Sequence, residues 1–309
     1  MTGGERPREG MEGPEEIPAK GILFRSKSTA WFGTDHTMNL YRGCSHGFLY
    51  CDSRSDCYQN PEFDTVKVKA DALRLLRDDL ERKVKPAFIS MGAMSDPYNP
   101  FERELRLTRH ALELIHAYGC GVAAATKSDL IARDAGLYRD IQAQAPVICK
   151  LTVTTADDAL AAKIEPRAPA PSRRLAAVEA LAKAGVFTGV LLMPVLPFVE
   201  DSWDNVREVT ESAARAGAKF VYPAFGVTMR DGQRDYFLAG LDRAFPGQEL
   251  GRRYRARYGL RYQCASPRAK ELWERFSARC RELGLLYQMR SIVSAATRHC
   301  ADRQLSFFD

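Results

Sequence analysis

Three of the chain's eight cysteines fall within fourteen consecutive positions, Cys44, Cys51 and Cys57. The segment reads Tyr41-Arg42-Gly43-Cys44-Ser45-His46-Gly47-Phe48-Leu49-Tyr50-Cys51, with Cys57 six residues on. Glycine, serine and aspartate between the thiols mark a loop. Soft thiolates at short spacing in a loop suit an iron–sulfur cluster or zinc. A loop that must hold a metal needs a rigid frame, and the sequence after it supplies one.

That frame is an alternation of apolar strands and amphipathic helices. Met38 to Tyr41 reads as a first strand, then Ala87 to Met91, Gly121 to Thr126, Val147 to Thr154, Val186 to Met193 and Ala218 to Tyr222. Between them lie helices marked by Leu73, Leu76 and Leu80, by Thr108 to Tyr118, by Ser172 to Ala184 and by Ser202 to Ala216. Gly119, Gly185 and Gly217 stop three of them. Strands spaced about 30 residues apart with helices between imply right-handed crossovers and a parallel α/β sheet. Periodicity alone leaves open whether that sheet is flat or curled.

The boundaries follow from composition. Residues 1–20 are rich in Gly, Pro and Glu and read as a disordered arm; 21–230 carry the alternating pattern; 231–309 form a C-terminal extension with a helix near Pro267 to Glu282. No run of about 18 apolar residues exists, so no membrane span is expected. Eight cysteines in 309 residues with no apolar leader fit a reducing cytoplasm and metal-binding thiols, not a disulfide scaffold. The net charge of +6 is mildly basic, and it concentrates at Arg252, Arg253, Arg255, Arg257 and Arg261, interleaved with Tyr254, Tyr258 and Tyr262. Guanidinium groups beside rings suit a nucleic-acid backbone with stacked bases, and they equally suit a solvated helix face with its tyrosines packed inward.

Ligands of parallel α/β sheets bind at the carboxyl ends of the strands. Those ends carry Ser95-Asp96-Pro97-Tyr98, then Thr126-Lys127-Ser128-Asp129, Thr154-Thr155, Glu165-Pro166-Arg167, Pro194-Val195-Leu196-Pro197 and Glu200-Asp201. Taken singly, each is also readable as a turn cap or a surface charge. Together they describe a ligand rim.

These stretches, in this order, resemble the radical S-adenosylmethionine (SAM) enzymes, and among them the spore photoproduct lyase-like branch. The resemblance rests on Asn39 to Gly47, Tyr50-Cys51, Ser95 to Tyr98, Glu165 to Arg167 and Met193 to Pro197. It implies a partial (β/α)6 TIM-type barrel, a 4Fe-4S cluster, and SAM bound to the cluster's open iron. It further implies cleavage of SAM to a 5′-deoxyadenosyl radical that abstracts hydrogen from a substrate, with an electron donor protein as partner. A nucleic-acid substrate, as in photolesion repair, is one reading. A peptide or metabolite substrate, and a binding protein that cleaves no SAM, are the others.

Carried over by position, Cys44 and Cys51 are cluster ligands and Tyr50 lies against the adenine. Ser95 and Asp96 approach the SAM amino group, and Lys127 the ribose or carboxylate. Thr152 or Thr154 bonds the ribose. Glu165 and Arg167 anchor the methionine end. Tyr98 and Cys120 are candidate radical-relay or hydrogen-donor residues, although Cys120 also reads as plain core. The chain departs from the family at one point. The usual Cys-x3-Cys-x2-Cys loop requires cysteine at 48, and Phe48 stands there. Three readings remain: Cys57 supplies the third thiolate, His46 completes the site, or the cluster is lost. The last residues, Gln304-Leu305-Ser306-Phe307-Phe308-Asp309, resemble the short peptide by which bacterial DNA-metabolising proteins dock on the sliding clamp; they also suit folding back onto the barrel.

Overall fold

The structure is a computed structural model that describes residues 13–83 and 86–305, giving the backbone only for 83 and 299–305. Its frame is a seven-stranded sheet. The strands are β1 (Leu23–Arg25), β2 (His36–Met38), β3 (Phe88–Met91), β4 (Gly121–Thr126), β5 (Val147–Thr152), β6 (Thr188–Leu192) and β7 (Phe220–Pro223). They lie side by side in chain order. β2 to β7 are all parallel and β1 is antiparallel to β2. The expected parallel α/β architecture is therefore what forms, as a partial barrel with a helical C-terminal part.

Strand parity builds two cores. Ile89, Val122, Val147, Cys149, Val190 and Val221 point to the convex face, where they meet the amphipathic faces of the surrounding helices. Phe88, Ala123, Ile148, Leu191 and Phe220 point to the concave face. There they pack with Phe32 and with Ile292 of the helix Met289–Leu305, which plugs the barrel. Strands buried on both faces need continuous apolar runs, and these have them. Gly119, Gly185 and Gly217 take positive φ just past their helices, as expected of C-terminal stops.

Two local expectations are corrected, and two features had no sequence expectation. Met38 to Tyr41 is not one strand: β2 ends at Met38, and Tyr41–Arg42 joins a separate sheet with Lys67–Lys69 and Glu16–Ile17. Residues 16 and 17 are thus hydrogen-bonded strand and not part of a disordered arm. The helix Asp158–Ile164, capped by Asp157, was not anticipated from periodicity. Nor was the extension's content: helices Gln233–Ala244 and Leu250–Tyr258, and a ribbon pairing Gly226–Thr228 with Gln263–Ala265. Residues 1–12 and the terminal peptide 306–309 lie outside the described residues, so the clamp-docking reading of Gln304 to Phe308 is not addressed by side-chain contacts.

Candidate functional site

A cavity of about 340 Å³ opens at the carboxyl ends of β3 to β6. The cysteine loop forms one wall and the strand ends the other. The loop is set by Gly43, at φ +81°: a Cβ there would stand 2.1 Å from the Thr65 carbonyl. Cys44 N–H then donates to the Phe63 carbonyl at 2.8 Å. This turn directs Cys44 inward, where it is buried with Cys51, Phe63 and the ring of Phe48. Burial pushes the Cys51 thiol up to about 12, with the neighbouring Cys44 adding to the effect.

Asp96 organises the facing wall. Its Oδ1 accepts from Thr126 Oγ1 at 2.6 Å and from Tyr98 N at 2.8 Å, and its Oδ2 accepts from Lys127 N at 2.9 Å. His46 Nδ1 lies 3.2 Å from Oδ2 and 3.7 Å from Cys44 Sγ. Burial alone raises Asp96, but the His46 charge and these donors outweigh it and hold the carboxyl at about 2. Burial alone lowers His46, and Asp96 reverses this, carrying the imidazole to about 10. The pair is a buried imidazolium–carboxylate that ties the cysteine loop to β3 and β4.

Lys127 lines the cavity, its Nζ 4.2 Å from the Phe48 ring centre and 5.2 Å from that of Tyr50. Burial pulls its ammonium below the ordinary lysine range. An ammonium seated over two rings is a cation–π contact. Behind it, Tyr50 OH donates to Glu165, and Glu165 is ion-paired with Arg174. Burial would raise Glu165, but Arg174 and Lys127 hold it below the usual carboxylate range. Glu200 lies nearby, and burial pushes it up to about 8.

The structure brings together Cys44, Cys51, Ser95, Asp96 and Lys127 at this cavity, with Tyr50 just behind. Thr152 lines it, whereas Thr154 is buried beyond it beside Glu200. Several sequence expectations separate from it. Arg167 is exposed and pairs with Asp64 at 2.7 Å, so it does not partner Glu165. Tyr98 is wholly buried, its hydroxyl bonded to Asp134 and Tyr138 at 3.1 and 2.9 Å, and it lines no part of the cavity. Cys120 is buried in the convex core and bonds the Tyr118 carbonyl. Cys57 is exposed, 3.0 Å from Ser55 Oγ and 3.9 Å from an Arg230 nitrogen. Trp31 and Arg174 were missed. Trp31 reaches the cavity from a loop with no motif, and Arg174 is one arginine in an ordinary helix.

A second cavity of about 520 Å³ shares Phe48, Cys51, Ser53 and Lys127 with the first and continues to the ribbon at Thr228, Gln263 and Cys264. The basic helix Leu250–Tyr258 lies outside it. Tyr254 and Tyr258 are buried and donate to the Pro197 and Ala265 carbonyls, so these two rings are not free to stack on bases. Arg252, Arg253, Arg255 and Arg257 remain exposed.

Do these residues fit an iron–sulfur cluster? Two thiols stand beside the rings of Phe48 and Phe63 with a lysine ammonium at the cavity wall, and soft thiolates there suit an iron–sulfur cluster. Among the described residues, no group of three His, Cys, Asp or Glu side chains stands ready to hold a metal ion. The thiols that line the cavity are Cys44 and Cys51.

Comparison with known proteins bears on this geometry. The family model described as the radical SAM superfamily matches residues 38–219. The uncharacterized protein Rv2578c of Mycobacterium tuberculosis (strain ATCC 25618 / H37Rv) is 32% identical over 250 residues, covering 79% of this chain and 73% of its own length. The uncharacterized protein MJ0683 of Methanocaldococcus jannaschii is 29% identical over 172 residues, covering 55% and 63%. Among solved structures, spore photoproduct lyase complexed with dinucleoside spore photoproduct superposes with a TM-score of 0.63 at 16% identity, over 87% of this chain and 80% of that one. At that identity the likeness concerns the fold.

Proposed function

The chain belongs to the radical SAM superfamily, and from that premise we propose that it is a SAM-dependent radical enzyme whose substrate is nucleic acid. The observation that carries this reading is the joining of two cavities through Cys51, Phe48 and Lys127. The first holds the two buried thiols and a rim of hydroxyls and charge. The second continues to the ribbon at Thr228 and Gln263, where Arg230 bonds Asp52 at its edge.

Cys44 and Cys51 would hold an iron–sulfur cluster, which supplies the electron that cleaves SAM to its radical fragment. The chain's own residues bind, orient and exclude water. Ser95, Asp96 and Thr152 offer oxygens to the amino and ribose groups of SAM. Lys127 offers a cation to its carboxylate or ribose, and Tyr50 a ring face held in place by Glu165. Phe48, Ala93 and Met193 supply the apolar part of the wall shared by the two cavities, which limits the access of water to a reactive intermediate.

A nucleic-acid substrate is supported by the exposed guanidinium groups of the helix Leu250–Tyr258. Arg230 adds to them, stacked 4.5 Å over the ring of Tyr262 and bonded to Asp52 at the second cavity's edge. The resemblance in fold to a lyase crystallised with a dinucleoside photoproduct points the same way.

The test is anaerobic. Reconstituted with iron and sulfide, reduced and given SAM, the protein should release 5′-deoxyadenosine, and Lys127→Ala should lose SAM binding. Single-stranded DNA should bind with a steep salt dependence, reduced when Arg252, Arg255 and Arg257 are changed to Ala. Absence of 5′-deoxyadenosine from iron-loaded protein would refute the enzyme reading. Salt-insensitive or absent DNA binding would refute the substrate.

A further inference from the structure

The cysteine loop turns three side chains of its 44–51 stretch into one apolar cluster: Cys44, Phe48 and Cys51. All three line the first cavity. Only two of them carry sulfur. Cys57 is the one other thiol nearby in sequence, and its position is anchored elsewhere.

Those anchors are numerous. Asp52 accepts from Arg230 at 3.1 Å and from Thr228 at 3.3 Å. Arg54 pairs with both oxygens of Asp64, at 2.9 and 2.8 Å, and lies 3.8 Å over the ring of Tyr236. Asp56 N–H reaches the Asp231 carbonyl. Bringing Cys57 to the cavity would break this set, which fastens residues 52–56 to Asp64 and to the segment 228–236. Phe48, by contrast, is already in the wall, its ring under the Lys127 ammonium.

We infer that the third protein position of this metal site is occupied by Phe48, which has no donor atom, and that Cys57 is not a ligand. A cluster bound here would be held by the Cys44 and Cys51 thiolates alone. An iron left without a protein thiolate there would be open to solvent or to small thiols. The inference rests on the proposed reading of the cavity as an iron–sulfur site.

Iron and sulfide counting tests it without recourse to activity. The wild type, Phe48→Cys, Phe48→Ala, Cys57→Ala and Cys44→Ala are reconstituted anaerobically, desalted, and challenged with a ferrous chelator, with thermal melts confirming that each is folded. Phe48→Cys should retain roughly four irons and release them at least about tenfold more slowly than wild type, the gain expected of a closed thiolate set. Cys57→Ala should match wild type, and Phe48→Ala should show no gain, since it adds space without sulfur. Iron loss in Cys57→Ala equal to that in Cys44→Ala would overturn the inference and leave the site reading standing. Identical content and release rate in wild type and Phe48→Cys would do the same. If no folded variant, Phe48→Cys included, takes up iron, the reading of the cavity as a metal site falls, and the inference with it.

Discussion

Glu165 is neutralised by Arg174, on the following helix, and not by Arg167, two positions away. Both partners of the true pair are buried, their side chains 1% exposed. Removing one partner strands a charge without solvent. Arg174→Met should therefore cost on the order of 3–5 kcal/mol in urea unfolding. Arg167→Ala, which breaks a surface pair with Asp64, should cost under about 1 kcal/mol. Equal losses would show that the buried pair is not what positions Tyr50.

The Asp96–His46 pair makes a pH-dependent contribution whose sign is set by both shifts. Asp96 falls from 3.8 to about 2, so its stabilisation is present above pH 3.8 and is lost as pH drops through 2. His46 rises from 6.5 to about 10, so its stabilisation is full below pH 6.5 and is lost as pH climbs through 10. Wild type should exceed Asp96→Asn in stability by a near-constant margin between those limits, narrowing on either side. A margin that does not vary with pH would refute the ion pair.

Lys150 lies inside the barrel with no hydrogen-bond partner, 4.3 Å from the Phe32 ring centre. Burial lowers it from 10.5 to about 7. Below that pH both folded and unfolded chains carry the proton. Between 7 and 10.5 the unfolded chain binds more, so stability rises with pH. Lys150→Met should remove this slope and stabilise the protein by a few kcal/mol at pH 6, at about 1.4 kcal/mol per tenfold change in proton affinity. Parallel stability curves for the two proteins from pH 6 to 10 would count against it.

Gly43→Ala should be among the most damaging single-methyl additions. It forces a Cβ into the Thr65 carbonyl and a side chain into a left-handed backbone, costing about 1–3 kcal/mol for the backbone alone. Gly136→Ala meets nothing within 4 Å in its helix and should stabilise by up to about 1 kcal/mol. Tolerance of Gly43→Ala, with iron uptake unchanged, would mean that the turn does not shape the thiol loop.

Strands and helices were legible because their signals are local: apolar runs in the central strands, three-residue periodicity in the helices, glycine at their ends. The two thiols were legible for the same reason, since a turn of few residues decides where they point. Tyr98 and Cys120 lie away from the cavity because position near a strand end does not say which face of the sheet a side chain will meet. Tyr98 passes behind β3 to Asp134, and Cys120 precedes β4 on the convex side. Cys57 lines neither cavity, because its segment is held by Arg230 and Asp231, more than 170 residues away.

What the sequence settled by itself was the order of elements, the parallel sheet they require, and the grouping of thiols in a loop ahead of the strand–helix alternation, all consequences of short-range spacing. Only the tertiary structure decided which charges pair, which thiols share a cavity and that a phenyl ring completes their wall. Those outcomes depend on burial. A charge or thiol removed from water must take whichever partner the packed chain places beside it, and that partner is seldom a neighbour in sequence.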